Sequence, residues 1–411
     1  MPASQTFLIV GASLAGAKAA EALRADGFDG RVVLIGDEDQ RPYERPPLSK
    51  EYLRGEKDFD AAAVHPAGFY DEQRIELRTS TVVTSVDPAA PEVTLSSGER
   101  IGYDRLLLAT GAAPRRLSLP GSDLDGVHYL RGVADADALR QTLTSSAQVA
   151  VIGAGWIGAE VAASARQLGA TVAMVELASV PLERVLGREV GAIYRDLHAE
   201  HGVDLHFGVG VDTLLGSRAV EAVRLSDGIV LPATAVVVGV GVTPRVELAE
   251  AAGLAVDNGI VVDEHLQTSA PGIFAAGDVA NAFHPRYGTG IRLEHWSAAL
   301  NQGPVAARNM LGKATTYDRT PYFFSDQYEL GMEYRGWAPS FDQVVFRGEP
   351  ASRAFIAFWL RHGRVMAAMN ANVWDAGDAI EALLQAGRPV APARLADPDV
   401  DLADLAASST A

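Results

Sequence analysis

Two stretches of the chain, FLIVGASLAG at 7–16 and VAVIGAGWIG at 149–158, each lead an apolar run into a glycine loop and out into small residues. No other feature constrains the fold as much. In a G-x-G-x-x-G loop the first glycine allows a tight turn, the middle one lets a diphosphate reach the backbone, and the last lets helix and strand pack closely. The diphosphate rests on free N–H groups at the positive end of the helix. Copies about 140 residues apart are too distant for a solenoid repeat and predict two dinucleotide cradles.

The first loop is Gly11-Ala-Ser13-Leu14-Ala15-Gly16, with serine at the middle position. The next strand ends IGDE, so Asp37 or Glu38 supplies the acid that holds the ribose hydroxyls, and position favours Asp37. The second loop, Gly153-Ala-Gly155-Trp156-Ile157-Gly158, is a full match, and its strand ends in Glu176. A carboxylate there accepts both hydroxyls of an unmodified ribose and repels a 2′-phosphate, which selects NAD over NADP. Leu177, Ala178 and Ser179 bring no arginine to reverse that choice.

Around the first loop, strands are expected at 6–10, 31–35 and 105–109 with a helix at 14–25; around the second, strands at 148–152, 171–175 and 235–240 with a helix at 157–168. Shorter strands are expected at 82–87, 92–96, 260–262 and 273–276, and a helix at 297–311. From about 318 the aromatic, alternating runs PYFFSDQYELGMEYRGW and RAFIAFWLRHGRVMAAMN predict a small antiparallel α+β domain. The closing DPDVDLADLAASSTA is acidic and expected to fray. The class is therefore α/β: two Rossmann-like dinucleotide-binding domains followed by a C-terminal α+β domain.

Composition removes other classes. A net charge of −17 opposes generic binding to nucleic acid or anionic membrane. No uninterrupted apolar run is long enough to span a bilayer, and MPASQT has no basic n-region, so no signal peptide is expected. The absence of cysteine excludes disulfides, thiolate metal sites and a redox dithiol, and fits the cytoplasm. Ser13 is not a nucleophile elbow, because Ala15 stands where G-x-S-x-G needs glycine. His198, His201 and His206 show no H-E-x-x-H pattern and read as ordinary surface histidines, so no metal is expected.

Two dinucleotides in one chain suit a bound flavin and a diffusing hydride donor. RPPLSK at 45–50, LLLATGAAPR at 106–115, GVGVTPRVELAEAAGL at 239–254, TSAPGIFAAGD at 268–278 and LEHWSAALNQG at 293–303 then carry a resemblance over essentially the whole chain. The sequence resembles the FAD-dependent NADH:ferredoxin reductases of the putidaredoxin reductase and biphenyl-dioxygenase reductase type. That resemblance implies an FAD domain (1–113 and 246–317) interrupted by an NAD domain (114–245), then a C-terminal domain from 318 that covers the flavin. It implies FAD contacts from Gly11, Ser13, Leu14, Ala15, Gly16, Asp37, Glu38, Arg45 and Lys50, from Val83 at the adenine end, and from Ala109, Thr110, Gly111, Arg131, Gly277, Asp278, Glu294, His295 and Trp296. For NAD it implies Gly153, Gly155, Trp156, Ile157, Gly158, Glu160, Glu176, Gly239, Val240 and Gly241.

Lys50 is one of only four lysines and, with Glu160, is the expected catalytic pair: a cation for the reduced ring and a carboxylate that binds the carboxamide or pairs with Lys50. Trp156 is expected to cover the flavin until nicotinamide displaces it. The electron acceptor implied is a small iron–sulfur ferredoxin serving an oxygenase or cytochrome P450. Rubredoxin reduction, direct NADH oxidation, and a flavin-bound NADH-responsive interaction protein stay as alternatives. Arg308, Lys313 and Arg335, with Trp337 and Trp374, are docking candidates.

Overall fold

A computed structural model of the chain describes residues 5–407. Residues 1–4, at the head of the MPASQT segment, and the last four residues of the C-terminal run lie outside that range. The chain forms two compact units. The first comprises Met1–Pro46, Asp58–Ala113 and Val242–Arg319; the second comprises Pro47–Lys57, Pro114–Gly241 and Thr320–Ala411.

The first unit is built on a parallel sheet in the order Ile273–Ala275, Arg105–Leu108, Thr6–Val10, Arg31–Ile35, Ile75–Arg78. The FLIV and VVLI runs are buried almost throughout, as expected of parallel strands covered on both faces. Val10 pairs with Ile35 on one side and Leu108 on the other, so the first glycine loop leaves the C-terminal edge of the sheet where the strand order reverses. That is where doubly wound sheets bind ligands. The helix Leu14–Ala25 follows and packs on Trp296–Met310. Small residues allow the close approach: a Cβ on Gly303 would lie 3.1 Å from the Ala19 nitrogen and closer still to the Ala15 carbonyl.

In the second unit a parallel sheet runs Asp204–Phe207, Thr171–Glu176, Gln148–Ile152, Ala235–Val238, Val127–His128. Its loop again leaves a central strand and opens the helix Trp156–Gln167. The C-terminal segment adds a five-stranded antiparallel sheet ordered Tyr322–Gln327, Leu330–Gly336, Arg364–Ala371, Ala354–Arg361, Gln343–Glu349. AFIAFWLR alternates in this sheet with period two. Phe355, Ala357 and Trp359 join Leu186 and Tyr194 of the helix Glu183–Glu200, whereas Ile356, Phe358 and Leu360 join Ile380 and Leu383 of Gly377–Ala386. Both faces are covered, so the strand looks uniformly apolar. At Gly187 the longer helix kinks, and the Trp359 indole N–H donates to the Leu186 carbonyl at 3.0 Å.

One expectation is corrected here. The acidic C-terminal run does not simply fray: Leu402–Ala407 is helical, and Leu402 and Leu405 are buried against Ile380 and Leu395. Their spacing of three puts both leucines on one helical face, which outweighs the polar composition around them.

Candidate functional site

In the first unit the loop closes backbone against backbone. Gly11 has φ +118°, and a Cβ there would collide with the Ala109 carbonyl; one on Gly16 would collide with the Gly11 carbonyl. The facing wall is Ala109-Thr110-Gly111. Thr110 Oγ1 donates to the Arg245 carbonyl at 2.7 Å, and the Arg245 N–H returns a bond to the Gly111 carbonyl at 3.0 Å. Ser13 occupies the N-cap of Leu14–Ala25 but makes no side-chain cap bond among the described residues. The first-turn N–H groups are left for an anion. Gly277 brings the chain past Ala15, its would-be Cβ 3.2 Å from the Ala15 Cβ, and its N–H donates to Gln302 Oε1 at 2.8 Å. Asp278 follows, and its charge opposes the loss of hydration that pushes His295 down to about 4.

His295 and Trp296 open the helix Trp296–Met310, while Glu294 is exposed and pairs with Arg292 at 2.6 Å. Val83 is buried in the core of this unit, with Val82 exposed beside it.

The acidic position differs between the two cradles for a readable reason. Gly11 N–H bonds the Ile35 carbonyl just as Gly153 N–H bonds that of Val175, so Gly36 corresponds to Glu176. A Cβ on Gly36 would sit 2.6 Å from the Ala12 Cβ, which keeps that place a glycine and moves the acids one and two residues on. Asp37 pairs with Arg245 at 2.8 Å near the surface. Glu38 pairs with Arg45 at 2.9 Å and accepts a bond from the Tyr43 hydroxyl.

In the second unit Gly153 has φ +96° and a Cβ there would lie 2.5 Å from the Gly239 carbonyl, while one on Gly158 would collide with the Gly153 carbonyl. Gly155 is different: the nearest atom to a Cβ would be the Gly239 carbonyl at 3.9 Å. Protein packing does not demand a glycine there, which leaves the backbone open to the approach of a diphosphate. Glu176 turns its carboxylate to the loop, accepting from Ala154 N–H at 2.8 Å and from Ala178 N–H at 3.0 Å. Val240 and Gly241 continue the Gly239 edge, and Val240 is exposed. Both cradles therefore fit a dinucleotide by the donors they leave open and by the side chains they exclude.

Lys50 and Glu160 meet in this second unit, both buried, at 4% and 7% exposure, with Nζ 3.5 Å from Oε1. Lys50 also lies over the Phe324 ring at 5.0 Å. Arg131, in the same unit, uses its backbone N–H on Asp135 at 3.0 Å. Trp156 is half-buried and packs its ring edge-on against Phe323, centroids 4.9 Å apart, and Tyr194 at 6.2 Å.

Ile157, one of the expected NAD contacts, is half-buried on the first turn of the helix beside the open Gly155. Two expectations change. His198 is fully buried and not a surface residue. It continues the stripe of Leu186, Val190, Tyr194 and Leu197, and lost hydration pushes it down to about 4. Arg335 is no part of a free basic rim: it is half-buried, paired with Glu333 at 3.0 Å and stacked over Tyr322. Arg308 and Lys313 both reach Asp26, at 3.1 and 3.3 Å. Trp337 is half-buried, and Trp374 is 58% exposed. Among the described residues no cluster of histidine and carboxylate side chains is arranged to hold a metal, and no helix is long and apolar enough to cross a membrane.

Sequence reasoning missed Ser49 and Ser325, which donate to the two Glu160 oxygens at 2.5 and 2.7 Å. Ser49 adjoins Lys50 in the RPPLSK motif, a signal that was available. Ser325 offered only its place in the alternation Phe323, Ser325, Gln327, all three inward-facing.

Comparison with known proteins agrees with this geometry. Residues 5–303 match the family described as "Pyridine nucleotide-disulphide oxidoreductase" and residues 322–406 match "Reductase C-terminal". The chain is 42% identical over 397 residues to the ferredoxin–NAD(+) reductase component of the anthranilate 1,2-dioxygenase system of Burkholderia cepacia, covering 96% of this chain and 98% of that one. It is 40% identical over 398 residues to rhodocoxin reductase of Rhodococcus erythropolis, covering 97% and 93%. Among solved structures, a covalent putidaredoxin reductase–putidaredoxin complex aligns with TM-score 0.95 at 38% identity, over 98% of this chain and 99% of the other. A ferredoxin reductase from Rhodopseudomonas palustris aligns with TM-score 0.94 at 40% identity, over 98% and 100%. The chain belongs to the pyridine nucleotide-disulphide oxidoreductase family, in the branch that ends in the reductase C-terminal domain, and with no cysteine it has no disulphide of its own to reduce.

Proposed function

We propose that this protein is an FAD-dependent NADH:ferredoxin reductase, which takes a hydride from NADH and delivers electrons singly to a small iron–sulfur ferredoxin that serves an oxygenase or a cytochrome P450. The observation that carries the reading is the pair of dinucleotide cradles, one of them ending in Glu176. FAD, when bound, supplies the chemistry of accepting two electrons together and releasing them one at a time. In this reading residues 1–113 and 246–317 hold FAD, 114–245 hold NADH, and the segment from 318 is the C-terminal reductase domain. On the same reading the protein works in the cytoplasm, which its lack of cysteine suits, and its charge of −17 argues against nucleic acid or an anionic membrane as partner.

The chain's own residues then have distinct tasks. The Gly11–Gly16 and Gly153–Gly158 loops present N–H groups to the two diphosphates. Asp37 or Glu38 and Glu176 accept ribose hydroxyls, and Asp278 accepts from the chain that links ribose to ring. Lys50, held in a dry setting over Phe324, offers a fixed cation to negative charge that grows during hydride transfer. Glu160 orients the Lys50 ammonium and presents a carboxylate to the nicotinamide amide. Trp156, leaning on Phe323 and Tyr194, covers the flavin position until nicotinamide displaces it.

Steady-state assays with NADH test the assignment. Ferredoxin added to the purified protein should raise NADH consumption many-fold over the rate with oxygen alone. A rate that ferredoxin leaves unchanged rejects the reductase reading; rapid oxygen consumption favours an oxidase, and neither activity favours an NADH-responsive interaction protein.

A further inference from the structure

A row of buried polar groups runs away from Glu160 inside the second unit. Ser325 Oγ donates to Glu160 Oε1 at 2.7 Å, and Gln327 Nε2 reaches Ser325 Oγ at 3.3 Å. Gln327 Oε1 lies 2.9 Å from His198 Nε2, and the Tyr328 hydroxyl is 3.4 Å from His198 Nδ1. Glu160, Ser325, Gln327 and His198 are all at least nine-tenths buried. Polar side chains in such a place cost stability unless every hydrogen bond is made.

Chemistry fixes the direction of every bond. A carboxylate only accepts, so the Ser325 hydroxyl must donate to it. Ser325 then accepts from the Gln327 amide N–H, which turns the Gln327 oxygen toward His198. His198 therefore carries its proton on Nε2, leaving Nδ1 to accept from Tyr328. A neutral imidazole is the state its burial favours. All four donors point the same way and end on one carboxylate oxygen. Ser49 supplies the other oxygen from the loop that carries Lys50.

We infer that Tyr328, His198, Gln327 and Ser325 form a positioning chain of single polarity that holds the Glu160 carboxylate aimed at Lys50. The consequence for hydride transfer rests on the proposed function; the effect on Glu160 itself does not. Three inward positions of the strand Tyr322–Gln327 divide the work: Phe323 on Trp156, Ser325 on Glu160, Gln327 on His198. The C-terminal domain thereby sets the electrostatics of the nucleotide helix. The charged and titratable groups facing Glu160 are Lys50 from its loop and Tyr194 from Glu183–Glu200. Asp326, on the same strand as Ser325, lies on the opposite, exposed face. His198 faces Tyr328, and His201 stacks on that ring.

The test follows the Glu160 carboxyl stretch by infrared titration of the purified holoprotein, the band being assigned by its loss in Glu160→Gln. Removing one charge-assisted donor in Ser325→Ala should raise the Glu160 titration midpoint by about one pH unit. Gln327→Leu should shift it the same way by less, and Ser325→Thr, which keeps the hydroxyl, should restore it. The acidic limb of the rate of flavin reduction by NADH should move with the band. An unchanged midpoint in Ser325→Ala overturns the chain. A shifted midpoint, with hydride transfer indifferent to both Ser325→Ala and Glu160→Gln, upholds the chain and overturns the catalytic assignment of Glu160.

Discussion

Glu176 gives the sharpest quantitative prediction. Its carboxylate is half-buried and held on the glycine loop by two backbone N–H groups at 2.8 and 3.0 Å, so it does not swing away when a nucleotide arrives. A 2′-phosphate placed against it would bring like charges to about 4 Å, a repulsion of about 1 kcal/mol at the dielectric of water and about 4 kcal/mol at the effective value near a protein surface. The expected preference for NADH over NADPH is therefore roughly 5- to 1,000-fold in kcat/KM, shrinking as salt screens the charge. Glu176→Gln keeps the size and one acceptor but removes the charge, and should lower the ratio about fivefold or more. Glu176→Arg should tilt it toward NADPH. The assay is initial-rate flavin reduction with each nucleotide at two ionic strengths. A ratio unmoved in both variants would refute the ribose assignment.

Three further outcomes follow from the same geometry. Lys50→Met strands Glu160 as a buried carboxylate without its cation, so flavin reduction should slow and stability should drop by about 3–5 kcal/mol in chemical denaturation; a variant matching wild type in both would reduce Lys50 to a packing residue. Trp156→Ala should change the apparent NADH affinity and the reduction rate, read by stopped-flow absorbance, whereas a purely packing role predicts lost stability alone. His198 titrates near 4 when folded and near its usual 6.5 when unfolded, so the unfolded chain binds the extra proton. Stability contributed by this group is thus complete above about 6.5 and declines as pH falls toward 4, by about 3 kcal/mol in all; His198→Phe should flatten that part of the pH–stability curve.

The sequence is most legible where the backbone itself is constrained. The strands Thr6–Val10, Arg31–Ile35 and Gln148–Ile152 and the helix Leu14–Ala25 lie where periodicity and the glycine loops place them, because apolar strands feeding tight turns have few other solutions. Polar residues deep in the molecule are harder to see. His198 falls on an apolar helical stripe and Ser325 on an inward strand position, yet both look like surface residues until the facing element supplies a partner. Lys50 was legible through the RPPLSK motif rather than through periodicity: Pro47–Lys57 packs within the second unit and carries the lysine to Glu160, one of the two roles expected of that carboxylate. Composition misjudged the C-terminal helix because two leucines in register outweigh their acidic neighbours.

An anaerobic titration followed by visible absorbance examines the central claim directly. Purified protein should be yellow, one equivalent of NADH per chain should bleach the flavin bands, and the reduced protein should then reduce two equivalents of a one-electron ferredoxin. A preparation that stays colourless after incubation with FAD would contradict the account, as would a flavin that NADH fails to bleach.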